Sequence, residues 1–173
     1  MTAQDEIQAS GSGTSASADS ASVTDTLKKL LKVETERLRL RQGLGLGGAE
    51  IAAARSDLVD PVVSRACKDA ALSVDRTGQP ELAQLAVVAL GGYGRRELCP
   101  FSDVDLLFLH AGSPTPALAA FVERTLITLW DAGLTVGHSF RSAKECVSEA
   151  RGDLHSRTAL CEARLVAGHP GLL

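Results

Sequence analysis

Two aspartates on one predicted strand are the side chains of this sequence best suited to chemistry. Asp103 and Asp105 stand two residues apart, so strand alternation places both carboxylates on one face while Val104 and Leu106 point into the core. Two like charges held close together are unfavourable unless a cation joins them. Carboxylate oxygens suit Mg²⁺, and a pair of divalent ions can stabilise both the attacking and the leaving oxygen of a displacement. The pair indicates a divalent metal site, with two solvent-facing aspartates on an edge strand as the alternative.

A glycine-rich turn precedes these aspartates. Gly91 and Gly92 follow the apolar run 85–90 directly, and ten residues separate Gly92 from Asp103. Glycines let the backbone approach a triphosphate, whose oxygens the N–H groups of the following turn can bind. The alternative for Gly91, Gly92 and Gly94 is a tight strand-exit turn that needs positive φ. The glycine turn and the aspartate pair together favour a nucleotide site.

Three short apolar stretches predict the strands that position these residues, namely 85–90, 103–110 and 134–140. Apolar residues at helical spacing, with capping residues and glycine stops, predict helices around the strands. These helices begin at residue 24, cover 49–74 with a division near Asp60-Pro61, begin at Thr115, begin at Ser142, and run from Asp153 through Val166. The predicted fold class is α/β (α+β), a small mixed sheet flanked by helices.

Composition divides the chain into three parts. Residues 1–23 are rich in Ser, Ala, Thr and Gly and offer little to bury, which predicts a disordered tail. Residues 24–84 form a predicted N-terminal helical segment, and residues 85–173 form the domain that carries the two motifs.

Charge and hydropathy bear on partners and location. The net charge is −3, and no basic stripe for a nucleic-acid backbone is evident, so we expect no nucleic-acid partner. No apolar stretch reaches the roughly 18 residues of a membrane span, so we expect no membrane association. The start does not resemble a secretory signal, and the four cysteines form no CxxC pair. We therefore expect a cytoplasmic protein.

The longer string around the two motifs resembles a known family. Gly-Gly, a ten-residue spacer and Asp-x-Asp with apolar residues after each aspartate resemble the DNA polymerase beta-like nucleotidyltransferase superfamily. The run GGYGRRELCPFSDVDLL over residues 91–107 is similar to one branch, the uridylyltransferases of the nitrogen regulatory protein PII. Residues 129–142 and 150–168 resemble the next strand and helix of that branch.

The resemblance implies a reaction and a set of site residues. Asp103 and Asp105 would be catalytic and would hold Mg²⁺. The residues expected to bind the nucleotide are Gly91, Gly92, Arg95 and Ser102. The implied reaction transfers UMP from UTP to a tyrosine of PII and releases pyrophosphate. Adenylyl transfer within the same superfamily, and a non-catalytic module that binds a nucleotide or a partner, are the alternatives.

Four residues near the motifs have two interpretations each. Arg95 either neutralises pyrophosphate or forms an ion pair with Glu97 or another carboxylate. Ser102 either orients the aspartates or belongs only to the turn. His138 either contacts the nucleotide or is a buried, hydrogen-bonded histidine, and the buried role is favoured. Tyr93 either stacks on a base or packs over the turn, and packing is favoured.

The third carboxylate of the superfamily has no clear counterpart in this sequence. The predicted strand and the residue after it, 134–141, contain neither Asp nor Glu, and Gly137 falls about where related enzymes place an acid. Asp131 and Asp153 flank the strand and are candidates to replace it.

Length is the second departure from the resembled branch. Those enzymes are several times longer and continue into an HD hydrolase and ACT domains. We therefore expect the nucleotidyltransferase domain over 85–173 to be incomplete at its C-terminus. Removal of UMP and glutamine sensing are expected to be absent.

Overall fold

A computed structural model describes residues 13–74 and 82–173 of the chain. The helices of this part are α1 (Gly13–Gly43), α2 (Gly48–Val74), α3 (Gly91–Gly94), α4 (Pro116–Asp131), α5 (Ala143–Gly152) and α6 (Leu154–Cys161). The strands are β1 (Leu85–Ala89), β2 (Val104–His110), β3 (Val136–Ser142) and β4 (Arg164–Gly168). Short 3₁₀ turns cover Leu82–Gln84 and Pro170–Leu172.

The strands form one mixed sheet in the order β3-β2-β1-β4. β1 is antiparallel to both β2 and β4, whereas β2 and β3 are parallel. Every residue of β1 is buried, because helices cover both faces of the sheet at its centre. The predicted small mixed sheet flanked by helices is therefore confirmed.

Each face of the sheet has its own apolar core. The larger core packs α1, α2 and α4 against side chains such as Val87, Leu106 and Phe108. The smaller core packs α5 and α6 against Leu107 and Leu109 on the opposite face. Asp105 lies on the same face as Leu107, two residues nearer the start of β2, so the smaller layer borders the candidate site.

Helix α1 extends further toward the N-terminus than predicted. It begins at Gly13, inside the segment 1–23 whose composition predicts disorder; residues 1–12 of that segment lie outside the described residues. Extending an existing helix adds one hydrogen bond for each residue fixed, so a polar, alanine-containing segment can continue it. Leu27 and Leu31 fix the helix by packing into the larger core.

The predicted division of α2 at Asp60-Pro61 is wrong. The helix continues from Gly48 to Val74 with Pro61 inside it. Asp60 does not cap a new helix, because its carboxylate accepts hydrogen bonds from Tyr93 and Arg164. The buried stripe that includes Val59, Val62 and Val63 keeps the helix on the sheet through the proline.

The predicted last helix is wrong over its second half. Helix α6 ends at Cys161, and residues 164–168 form β4 along the outer edge of β1. Pairing with β1 satisfies the backbone groups of both strands, and this long-range gain has no local signal in the sequence. Gly168 closes the strand with φ +90, where a Cβ atom would collide with the carbonyl oxygen of Leu85.

The elements between β2 and α5 follow the sequence closely. Thr115 caps α4 by accepting a hydrogen bond from the N–H of Leu118. Ser142 and Glu145 form the capping box at the start of α5. Trp130 is exposed, and its ring packs edge-to-face with the ring of His138, with 6.0 Å between the ring centres. No helix within residues 13–74 and 82–173 combines the length and apolarity needed to cross a bilayer.

Candidate active site

The glycine turn connects the end of β1 to the start of β2. Gly91 opens α3 with φ +55, a conformation that favours glycine. The N–H of Leu90 donates to the carbonyl oxygen of Asp105 at 3.0 Å, and the N–H of Gly94 donates to that of Leu90 at 2.9 Å. The turn is therefore hydrogen-bonded directly to the strand that carries Asp105.

Close approach, rather than positive φ, explains the glycine at position 94. A Cβ atom there would collide with the carbonyl oxygen of Glu162 and lie 3.0 Å from that of Ala89. A Cβ atom at Gly92 would lie 3.2 Å from the carbonyl oxygen of Glu97. The strand-exit interpretation therefore accounts for Gly91, whereas packing against backbone accounts for Gly92 and Gly94.

The two aspartates lie where strand alternation predicts. Val104 and Leu106 are buried, while Asp103 and Asp105 are exposed. Partial burial raises the pKa of Asp105, the charge of Asp103 raises that pKa further, and His155 lowers it. The two carboxylates are thus close enough to repel each other, which is the situation that a bound cation relieves.

A cleft of about 530 Å³ opens between the glycine turn, the sheet and α6. Its lining includes Gly91, Gly92, Arg95, Asp105, Gly137 and His155. Gly91 and Gly92 of the turn thus form part of the wall of this cleft. Asp103 is close to Asp105 but does not line the cleft. Ser102 does not line the cleft either.

Arg95 forms ion pairs on the wall of the cleft. Its Nε donates to Glu97 at 2.8 Å, and a second guanidinium nitrogen donates to Glu162 at 2.5 Å. These two hydrogen bonds raise the pKa of Arg95. The ion-pair interpretation of Arg95 is confirmed, and contact with a phosphate would compete with two carboxylates.

The other three ambiguous residues lie in different environments. Tyr93 is buried and donates its hydroxyl proton to Asp60, so the packing interpretation is confirmed. Ser102 is exposed, and its backbone N–H donates to the carbonyl oxygen of Cys99, which is a turn contact. His138 is exposed on the cleft wall, so its prediction as a buried histidine is wrong.

The third carboxylate is not found where the superfamily places it. Gly137 pairs with Asp105 in the β2–β3 register and leaves that position without a side chain. Asp131 is exposed at the end of α4, and Asp153 caps α6 by accepting from His155 and Ser156. Neither candidate lines the cleft. Within the described ranges, no group of three or more His, Cys, Asp or Glu side chains is arranged to hold a metal.

The donor set that remains still fits magnesium bound together with a nucleotide. Mg²⁺ in nucleotide sites is held by one or two carboxylates, while waters and substrate phosphates complete its shell. Asp105 and the neighbouring Asp103 are the carboxylates that would hold such an ion, at the edge of a cleft that has room for a substrate.

His155 and Glu162 are among the cleft residues that no sequence pattern indicated. His155 lies in the first turn of α6, and Glu162 lies at its C-terminal end. The cap at Asp153 fixes the start of α6, but no local pattern shows that this helix packs beside the glycine turn. Their location depends on β4, the strand that the sequence did not reveal.

Comparison with known proteins identifies the family. The sequence profile described as "Glutamate-ammonia ligase adenylyltransferase" matches residues 3–124, which is more than half of the chain. The chain belongs to this nucleotidyltransferase family. The match includes the glycine turn, Asp103 and Asp105, whereas Gly137, His155 and Glu162 of the cleft lie beyond it.

Three similar curated proteins share one name. A "Bifunctional uridylyltransferase/uridylyl-removing enzyme" of Gluconobacter oxydans is 43% identical over 127 residues, covering 73% of this chain and 13% of the relative. The protein of the same name from Rhodospirillum rubrum is 44% identical over 126 residues, covering 72% of this chain and 14% of the relative. The protein of the same name from Cupriavidus metallidurans is 44% identical over 116 residues, covering 66% of this chain and 14% of the relative.

These relatives confirm the resemblance to uridylyltransferases that the run 91–107 predicts. The matched part of the chain spans only 13–14% of the length of these relatives. The family name specifies adenylyl transfer and the relatives' names specify uridylyl transfer, and nucleotidyl transfer is common to both.

Proposed function

We propose that this chain is a Mg²⁺-dependent nucleotidyltransferase domain that transfers UMP from UTP to a tyrosine of the protein PII and releases pyrophosphate. The observation that carries the proposal is the convergence of Gly91, Gly92 and Asp105 on one cleft, with Asp103 beside them. Positive φ and close packing account for the individual glycines, so the proposal rests on their location beside the carboxylate pair.

The chemistry requires in-line attack of a tyrosine oxygen on the α-phosphorus of the nucleotide. The new P–O bond forms as the bond to pyrophosphate breaks, and negative charge spreads over the phosphoryl oxygens. Magnesium, when bound, neutralises that charge. The glycine turn is expected to seat the triphosphate, and Asp103 and Asp105 are expected to hold the metal against it.

Arg95 and Ser102 take secondary parts in this proposal. Arg95 lies on the cleft wall, where it can turn from Glu162 toward the departing pyrophosphate. Ser102 precedes the aspartates in an exposed turn and is expected to orient the chain into β2. The choice of UTP over ATP, and of PII as acceptor, rests on the resemblance of the run 91–107 and on the names of the curated relatives.

A labelling experiment tests the proposed reaction. The chain is incubated with PII, Mg²⁺ and UTP labelled at the α-phosphate, and label on PII is measured beside a parallel reaction with labelled ATP. We expect label to appear on PII with UTP, and to disappear when Mg²⁺ is chelated. Transfer from ATP alone would support adenylyl transfer, and transfer from neither nucleotide would contradict the proposed activity.

A second candidate function is a non-catalytic module that binds a nucleotide or a partner. The observation in its favour is Gly137, which leaves the position of the third acid without a carboxylate. Calorimetric titration with UTP and Mg²⁺ separates the two candidates. Binding without labelled PII would favour the module, whereas binding with labelled PII favours the enzyme.

A further inference from the structure

Behind the glycine turn lies an ion pair that the proposed chemistry does not use. The guanidinium of Arg164, on β4, makes two hydrogen bonds of 2.9 Å to the carboxylate oxygens of Asp60 on α2. The same guanidinium donates to the carbonyl oxygens of Gly94 at 3.2 Å and Tyr93 at 3.1 Å. One arginine thus connects α2, β4 and the end of the glycine turn.

Tyr93 completes this cluster. Its hydroxyl donates to Asp60 at 2.7 Å, and the guanidinium carbon of Arg164 lies 5.2 Å from the centre of its ring. The side chains of Arg164 and Asp60 are only 21% and 22% exposed. A bidentate, partly buried pair of this kind is stronger and better oriented than an exposed ion pair.

The turn needs an external support. α3 is a single turn of four residues, three of them glycines, and so short a helix has too few hydrogen bonds to offset its ordering entropy. Arg164 binds its last carbonyl groups, where a cation is most favourable. The ion pairs of Arg95 with Glu162 and of Arg96 with Asp57 are more exposed, and such pairs contribute little.

We propose that Arg164 and Asp60 are positioning residues that hold the glycine turn in its nucleotide-binding conformation. The proposal rests on the proposed function, because the nucleotide is the ligand that the turn would seat. Neither residue lines the cleft. Their effect on substrate passes through the carbonyl groups of Tyr93 and Gly94.

Two variants separate positioning from simple stability. Arg164→Met alone removes the bidentate partner of the partly buried Asp60 and leaves it the Tyr93 hydroxyl and a 3.7 Å contact with Arg96, so the melting temperature of this variant should fall. Combining it with Asp60→Asn removes the poorly compensated charge and keeps an acceptor for the Tyr93 hydroxyl, so the melting temperature should return toward the wild-type value. In both variants the carbonyl oxygens of Tyr93 and Gly94 lose the guanidinium of Arg164, while that of Tyr93 keeps the hydrogen bond from the N–H of Arg96. Arg39→Met, an exposed change on α1, is the matched control.

The test combines amide hydrogen exchange with calorimetric titration of UTP in the presence of Mg²⁺. In the Asp60→Asn, Arg164→Met variant, we expect the amides of Gly94, Arg95 and Glu97 to exchange at least tenfold faster. Amides at the centres of β1 and β2 should exchange at the wild-type rate, and UTP affinity should fall at least fivefold. Arg39→Met should change none of these quantities.

Wild-type exchange at the turn, or wild-type UTP affinity in the double variant, would overturn the positioning role. A wild-type chain that binds no UTP would instead contradict the proposed function, and the exchange rates alone would then decide whether Arg164 and Asp60 hold the turn.

Discussion

Asp105 on β2 faces Gly137 on β3, and a Cβ atom at position 137 would lie 2.6 Å from Oδ1 of Asp105. This distance is too short for any side chain at position 137 unless the carboxylate moves. The glycine therefore provides the space in which Asp105 reaches the cleft. The space beside position 137, where the resemblance leads us to expect a third acid, is occupied by the carboxylate of Asp105.

Gly137→Ala is expected to displace Asp105 without unfolding the protein. A displacement of about 1 Å at a reacting group can lower a rate roughly 100-fold, so transfer to PII should fall on that order. Gly152→Ala is the control, because a Cβ atom there meets nothing within 4 Å. Transfer rates measure the displacement of Asp105, and melting temperatures show whether the variant stays folded. A Gly137→Ala variant with wild-type transfer would show that Asp105 is not held against this strand.

Asp105→Asn is expected to stabilise the metal-free protein at neutral pH. Partial burial and the charge of Asp103 raise the pKa of Asp105 in the folded state, so this state binds the proton more tightly than the unfolded chain. The free energy of unfolding of the wild type therefore falls as pH rises from the ordinary aspartate pKa through the raised folded value. Asp105→Asn does not undergo this loss of stability. Its melting temperature should therefore rise above that of the wild type across this pH window, and the difference should stay constant at higher pH.

Magnesium is expected to reverse the order of the two melting temperatures, so that the wild type becomes more stable than Asp105→Asn. A cation that binds the folded state between Asp103 and Asp105 stabilises the wild type by mass action, while Asp105→Asn gains less. Melting curves at neutral pH with and without MgCl₂ test this. An equal shift of both proteins would contradict metal binding at this pair.

The capping box of α5 provides a stability test away from the cleft. The hydroxyl of Ser142 accepts from the N–H of Glu145, and the Glu145 carboxylate accepts from the N–H of Ser142. Ser142→Ala should lower the free energy of unfolding by about 1 kcal/mol, measured by urea denaturation. Ser148→Ala, on the exposed middle of the same helix, should cause almost no loss. Equal losses in both variants would contradict the capping role.

Local patterns in the sequence predict the glycine turn, the aspartate pair and three of the four strands. Their signals are local: an apolar run before Gly91, alternation around Asp105, and caps at Thr115 and Ser142. Each depends on neighbours within a few residues, which is the range over which backbone preference and side-chain periodicity act.

The remaining features depend on partners distant in sequence. Residues 164–168 become β4 because they pair with the free edge of β1. Asp60 does not cap a helix, because its carboxylate accepts hydrogen bonds from Arg164 and Tyr93. His155 reaches the cleft only when α6 packs beside the turn. Tertiary contacts of this kind override local preference and leave no periodic signal.

The most direct test of the site is the Mg²⁺ dependence of UTP binding in the wild type and in an Asp103→Asn, Asp105→Asn double variant. Calorimetry should show UTP binding to the wild type that weakens at least tenfold when Mg²⁺ is removed. The double variant should bind UTP weakly and equally with and without Mg²⁺, while Asp131→Asn, an exposed change outside the cleft, should behave as wild type. Magnesium-dependent binding of wild-type strength in the double variant would contradict the account.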